Sequence, residues 1–272
     1  MRIGVVAPAG RLQRETAEQI VAFAAARRPD VTLALHPQCF ARHGHFAGTD
    51  AERLEAFVTF ANDPAFDAIW FARGGYGSNR IAAAAVERLN KHARDKAYLG
   101  YSDLGFMLAA LYKAGFPNVA HGPMPQGISH GDGAEAVARG LDWLADRGAT
   151  GLEPSLEPGV PAAAFNLTVL GALLGTDLEP DLSDHVLMIE DVGEMAYRID
   201  RAMSHLTGQP RMRALRGIRA GRFEPVPDND PPFGEAPAEI VRHWCERAAI
   251  PFLGAADIGH DAANKVVPFG KR

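Results

Sequence analysis

The sequence predicts an α/β protein in two parts: an N-terminal doubly wound, mainly parallel sheet with helices on both faces, then a smaller C-terminal α+β domain. Three observations carry that prediction. Up to about Gly148, short β-branched or aromatic apolar runs alternate with helix-length stretches, as strands alternate with crossover helices in a parallel sheet. Between Arg147 and Pro161 periodicity stops and Gly and Pro crowd in. Beyond Pro161, helical and extended patterns resume without the earlier regularity. The expected division is residues 1–148, a linker over 149–161, and a second domain over 162–272.

In order, Ile3–Ala7 is the first expected strand, and its apolar run is too short for a signal-peptide core. Glu15–Ala26 has the composition of its helix. The pairs Val31–Leu35 with Ala51–Ala61, Ala68–Ala72 with Asn79–Leu89, Tyr98–Tyr101 with Leu104–Ala114, and Val119–His121 with Ala134–Ala145 repeat the unit. Functional loops of such a sheet lie at the carboxyl ends of its strands. In the second part, Gly175 ends an apolar segment, Asn166–Leu174. The strand His185–Ile189, the amphipathic helix Met195–Leu206 and the apolar stretch Leu215–Phe223 follow. A turn-rich loop from Glu224 to Pro237 leads to the helix Ala238–Ala248, and Phe252–Ala256 and Val266–Phe269 complete the chain.

With 272 residues, 47% of them hydrophobic, the chain has ample material for a buried core. Its net charge of -5 comes without any basic tract, which argues against a nucleic-acid partner. Cys39 and Cys245 stand far apart and outside any Cys-x-x-Cys or Cys/His spacing, so neither a disulfide framework nor a metal site is expected, and no cofactor is called for. No apolar stretch is long enough to cross a bilayer; a soluble, cytoplasmic protein with no membrane partner is the expectation.

Ser102 is the residue that points to chemistry. In Gly100-Tyr101-Ser102-Asp103-Leu104-Gly105 it falls on the turn between a strand and a helix, where a nucleophile would project beside the unpaired N–H groups of a helix start. The spacing misses the Gly-x-Ser-x-Gly elbow by one residue, and Ser102 or Asp103 acting as a plain helix cap is the competing role. Arg73-Gly74-Gly75-Tyr76-Gly77-Ser78 follows another strand. It fits neither nucleotide fingerprint, but its glycines would let main-chain N–H groups approach a developing oxyanion; a simple turn is the alternative. A serine near neutral pH needs a base. Of ten histidines, His260 lies in a loop at a strand end, and His121, ending another strand, is its rival. For the carboxylate that orients an imidazole, Glu190 ends the strand His185–Ile189.

With Ser102, Glu190 and His260 in that order, the chain resembles the LD-carboxypeptidases, the serine peptidases that include muramoyltetrapeptide carboxypeptidases and microcin-immunity peptidases. The resemblance runs over essentially the whole length. It is carried by Val6-Ala7-Pro8-Ala9-Gly10, Ala47-Gly48-Thr49-Asp50, Ala72-Arg73-Gly74-Gly75-Tyr76-Gly77, Gly100-Tyr101-Ser102-Asp103 and His121-Gly122-Pro123-Met124. In the second part Asn166-Leu167-Thr168, Leu174-Gly175-Thr176, Ile189-Glu190-Asp191-Val192-Gly193-Glu194, Tyr197-Arg198-Ile199-Asp200-Arg201 and Gly259-His260 match.

The resemblance implies a nucleophile at Ser102, a base at His260 and an acid in the Ile189-Glu190-Asp191 segment. Glu190 is chosen over Glu194 because a strand end is better fixed than the turn after it. It implies an oxyanion hole from the N–H groups of Asp103 and Gly75, and a catalytic cleft between the two domains. Recognition of a terminal carboxylate needs a cation, for which Arg73 is nominated. The implied reaction is release of a terminal D-alanine from an L,D-peptide bond of a muropeptide tetrapeptide during murein recycling, by a homodimeric enzyme. The same triad acting on another small conjugate, such as a peptidyl nucleotide, and a non-catalytic two-domain binding protein are the alternatives.

Overall fold

The computed structural model describes Met1–Lys271. Its first five strands are β1 (Arg2–Val6), β2 (Thr32–Leu35), β3 (Ala68–Phe71), β4 (Ala97–Gly100) and β5 (Val119–His121). They run parallel in the order β2-β1-β3-β4-β5. All residues of β3, β4 and β5 are buried, as parallel strands covered on both faces must be. The helices α1 (Arg14–Arg27) and α6 (Gly133–Asp146) pack with one face through Ile20, Ala24, Val137 and Leu141. On the other face lie α2 (Asp50–Asn62), α3 (Ala82–Glu87), α4 (Lys91–Arg94) and α5 (Gly105–Lys113). The start of α2 is set locally. Thr49 Oγ1 accepts from Glu52 N–H at 3.2 Å while Glu52 Oε2 accepts from Thr49 N–H at 2.7 Å, a reciprocal capping box.

The strand order reverses between β1 and β3. Loops leaving those two strands diverge and open a crevice at their carboxyl ends. The loops meet there, with Gly10 N–H donating to Gly74 O at 3.2 Å.

The second sheet comprises β6 (Ala162–Asn166), β7 (Val186–Asp191), β8 (Gly217–Phe223) and β9 (Phe252–Ala255), all parallel and in sequence order. A sheet wound in one direction places its right-handed crossovers on one face. Those crossovers are α7 (Leu167–Leu173), α8 (Ala196–Gly208) and α9 (Pro237–Ala248). Their apolar residues Leu170, Ile199, Met203 and Ile240 join the same core as Met107 and Leu111 of α5, so the two halves share one interior. The opposite face packs Ala162, Ala164 and Met188 against Ile258 and Val267.

The apolar segment Asn166–Leu174 is α7 with Asn166 as its N-cap, and the strand before it, β6, is an element the sequence reading did not include. Likewise, the helix expected over Asn79–Leu89 is a 3-10 turn at Ser78–Arg80 and then α3. The final strand, β10 (Val267–Pro268), returns to the first sheet and pairs antiparallel with β5. Gly270 exchanges backbone hydrogen bonds with Ala162 at 2.9 and 3.2 Å, so the chain end joins both sheets. Residues 149–161 are held as well. Glu153 is buried, its N–H donates to Val266 O at 3.0 Å, and its carboxylate accepts from Asp257 N–H at 3.0 Å. Among the described residues no helix is long and apolar enough to cross a membrane.

Candidate active site

Ser102 follows β4 by two residues and opens a single 3-10 turn, Ser102–Leu104, that runs into α5. Its φ is +60°, a left-handed conformation that a residue with a side chain adopts at a cost and that recurs at functional turns. Gly74 leaves the room this needs: a Cβ there would lie 3.0 Å from both Cβ and Oγ of Ser102. Neither the turn nor α5 has a side-chain cap, so helix capping does not account for the serine. Gly105, the glycine that misses the elbow spacing, serves another contact. A Cβ on it would meet Val169 of α7 at 2.8 Å.

The glycine loop after β3 is locked to the serine turn by Asp103. Its buried carboxylate accepts from Gly77 N–H at 3.2 Å and Ser78 N–H at 2.9 Å, and its carbonyl accepts the Ser78 hydroxyl at 2.6 Å. Arg53, fully buried, donates through Nη1 to Gly77 O at 2.8 Å and also to Pro8 O, joining the loops that leave β1 and β3. Asp103→Ala would strand two buried N–H groups, at about 1–3 kcal/mol each. Urea unfolding is expected to show a loss of about 2–4 kcal/mol with a parallel fall in turnover; a change below about 0.5 kcal/mol would show that the clamp is unimportant.

Alternation along β7 explains which acid faces the histidine. Leu187 and Ile189 point into the helix-covered core and Met188 to the opposite face, so Glu190 follows Met188 and Asp191 follows Ile189. Asp191 is accordingly consumed by α7. It accepts from Asn166 Nδ2 at 2.7 Å and from Thr168 N–H and Oγ1 at 3.0 and 2.9 Å. Glu190, with none of its side chain exposed, meets His260 Nδ1 through Oε2 at 2.5 Å. Burial opposes a charge on His260, but the Glu190 charge and hydrogen bond outweigh it and hold the imidazole pKa above its ordinary value.

The loop carrying His260 is fixed on both sides. Arg222 pairs with Asp257 at 2.5 Å and with both oxygens of Asp261. From α6, Arg139 donates to the carbonyls of Ala262 and Asn264. The Tyr101 ring packs on His260 with centroids 4.9 Å apart, bringing the residue before Ser102 onto the imidazole. His260 Nε2 is buried and makes no hydrogen bond, to Ser102 Oγ or to any other group. Such bonds are often long before substrate binds.

The other nominated residues make no hydrogen bond to this pair, although His121 packs on the same Tyr101 ring as His260. Glu194 meets Arg198 at 3.3 Å on the surface. His121 is buried against Asn264, and burial pushes its imidazole down to about 3. Arg73 donates to Arg11 O at 3.2 Å, and its Nε lacks a partner. Gly75, at φ +120°, and Asp103 lie in the two segments that the clamp joins. Both cysteines are free and buried, and among the described residues no cluster of three His, Cys, Asp or Glu side chains is gathered for a metal. Asp103 as a clamp, Arg53 and Arg222 escaped sequence reasoning, since each acts on backbone or loop groups distant in sequence.

Comparison with known proteins agrees over nearly the full length. The LD-carboxypeptidase N-terminal domain matches residues 3–122 and the LD-carboxypeptidase C-terminal domain residues 162–272. A putative carboxypeptidase of Synechocystis is 32% identical over 246 residues, covering 85% of this chain and 77% of that one. The murein tetrapeptide carboxypeptidase of Pseudomonas aeruginosa is 28% identical over 289 residues, covering 99% and 91%. Among solved structures, muramoyltetrapeptide carboxypeptidase from Oxalobacter formigenes superposes with a TM-score of 0.84 at 23% identity, over 99% of this chain and 93% of that one. Wild-type microcin C7 self-immunity protein MccF gives 0.81 at 19% identity, over 99% and 91%. At those identities the two structures speak for the fold. The two domain matches and the Synechocystis relative go further, and by them this chain belongs to the LD-carboxypeptidase family of peptidases.

Proposed function

We propose that this protein is a serine carboxypeptidase that releases the terminal D-alanine from an L,D-peptide bond of muropeptide tetrapeptides, with Ser102, His260 and Glu190 as its triad. The observation that carries the proposal is the buried Glu190–His260 pair at 2.5 Å, set against Tyr101 beside the strained serine turn. Similarity to the Pseudomonas aeruginosa murein tetrapeptide carboxypeptidase supports the substrate class.

In this mechanism Glu190 accepts from His260 Nδ1–H and so leaves Nε2 with its lone pair free. Ser102 Oγ attacks the carbonyl carbon as Nε2 takes its proton. The oxyanion is met by the N–H groups of Asp103 and Gly75, which the Asp103 clamp keeps in register. The C–N bond then breaks, and His260 gives its proton to the departing amine of D-alanine, leaving an acyl-enzyme. Water attacks the ester, its proton passing to Nε2, and collapse of the second tetrahedral intermediate returns a proton to Ser102.

The direct test is incubation with a muropeptide tetrapeptide and detection of free D-alanine alongside the shortened tripeptide. Absence of both products would rule out this activity. Cleavage of a peptidyl nucleotide in the same assay series would instead favour the competing substrate.

A further inference from the structure

Glu190 holds His260 by one atom. A hydrogen bond at Nδ1 fixes one point of the imidazole and leaves its plane free to tilt about that bond, which moves Nε2. Misplacing a reacting group by about 1 Å can cost about 100-fold in rate, so the plane of the ring needs a second support.

Tyr101 supplies it. Its ring meets two imidazoles, with centroids 4.9 Å apart for His260 and 5.5 Å apart for His121. His121 is itself fixed by the sheet. It is 1% exposed and stands opposite Gly100, the residue before Tyr101, in the pairing of β5 with β4. The contacts then close into a circuit. His121 Nε2 lies 3.3 Å from Asn264 Oδ1, an oxygen that only accepts, and Gly259 N–H donates to the same atom at 3.3 Å. Gly259 precedes His260, so His121 braces the ring of the base through Tyr101 and its backbone through Asn264. Burial pushes the His121 imidazole down to about 3 and raises the Tyr101 phenol, which leaves both braces neutral near neutral pH. An imidazole that weak does not take a serine proton, so His121 serves as support where the sequence made it a rival base.

Tyr101 also belongs to the serine turn. It directly precedes Ser102, and its carbonyl accepts from Leu104 N–H at 3.2 Å in the 3-10 turn that Ser102 opens. One residue thereby touches both partners of the proton transfer, although His260 comes from the second half of the chain.

We infer that Tyr101 is a positioning residue for that transfer: its ring, braced by His121, fixes the imidazole plane that Glu190 leaves free, and with it the reach of Nε2 toward Ser102. The inference rests on the triad proposed above. It assigns the role to the ring and not to the hydroxyl, because both contacts are ring to ring.

The test compares the wild type, Tyr101→Phe and Tyr101→Leu in D-alanine release and in the rate at which a fluorophosphonate probe labels Ser102. Labelling needs the base but no muropeptide. Phenylalanine keeps the ring and should stay within about twofold of wild type in both measurements. Leucine is expected to lower kcat and the labelling rate by about 10- to 100-fold, with KM within about twofold of wild type. The His260 Nδ1 proton, shifted far downfield in the NMR spectrum by its bond to Glu190, should persist in both variants, which a general loosening of the fold would not allow. A leucine variant within about threefold of wild type in kcat, or a phenylalanine variant as slow as leucine, would overturn the inference. Loss of the downfield proton in Tyr101→Leu would do the same, by tracing the effect to a broken Glu190–His260 pair. If Tyr101→Leu does not fold, Tyr101→Met carries the same expectation. A wild type that is labelled at Ser102 yet releases no D-alanine refutes the proposed substrate and leaves the inference to be decided by the labelling rates. A wild type that does neither refutes the triad, and the inference with it.

Discussion

Ser102→Ala is expected to lower the rate of D-alanine release by about 10⁴- to 10⁶-fold, the range found when the nucleophile of a triad is removed. The variant retains the backbone turn, the Asp103 clamp and the Glu190–His260 pair, because none of them uses the Ser102 hydroxyl. Its stability should therefore stay within about 0.5 kcal/mol of wild type by urea unfolding. Ser102→Gly separates the chemistry from the backbone more sharply. Glycine accepts φ +60° without strain, so this variant should be equally inactive yet more stable, by about 1 kcal/mol. If the serine were only a cap, both variants would keep their activity and lose stability. A serine-directed covalent probe, read by mass spectrometry on the peptide containing Ser102, gives the same decision without a substrate.

How far the sequence carries this fold depends on the residues in each element. Strands such as Ala68-Ile69-Trp70-Phe71 and helices with a clear apolar face are legible because local propensity and tertiary burial agree. β6 is not. Its Ala162-Ala163-Ala164 run has no β-branched residue, and Asn166 both ends the strand and caps α7 through Val169 N–H, so only the helix stands out in the sequence. The return of β10 to the first sheet is equally hidden, since pairing partners more than a hundred residues apart leave no local trace.

The site divides along the same line. Residues at strand ends, Ser102, Glu190 and His121 among them, are visible as positions where chemistry belongs. Which of them meet is a matter of side-chain direction. Period-two alternation in β7 turns Glu190 toward His260 and Asp191 toward Thr168, while Glu194 sits beyond the strand where no pleat constrains it. The Asp103 contacts need the loops after β3 and β4 to touch, and those of Arg53 the loops after β1 and β3, which only the folded topology brings about.

Glu190→Gln should change both the size and the pH dependence of activity. The amide nearly preserves shape but removes the charge, and its NH2 group favours the imidazole tautomer that places the proton on Nε2. For such an exchange in a triad the loss in kcat is about 10³- to 10⁴-fold. In the wild type, burial tends to lower the His260 pKa, and Glu190 reverses that tendency. The base must be neutral to act, so kcat/KM falls as pH drops through this raised pKa, placing the acid limb above the ordinary imidazole range. Without the Glu190 charge, burial dominates, and the residual activity of Glu190→Gln should persist to lower pH than that of the wild type. Glu194→Gln is the control. Its carboxylate is paired only with Arg198 at the surface, a contact worth about 0–1 kcal/mol, so the acid limb should stay in place. A limb that moves with Glu194 and not with Glu190 would transfer the role of triad acid to Glu194.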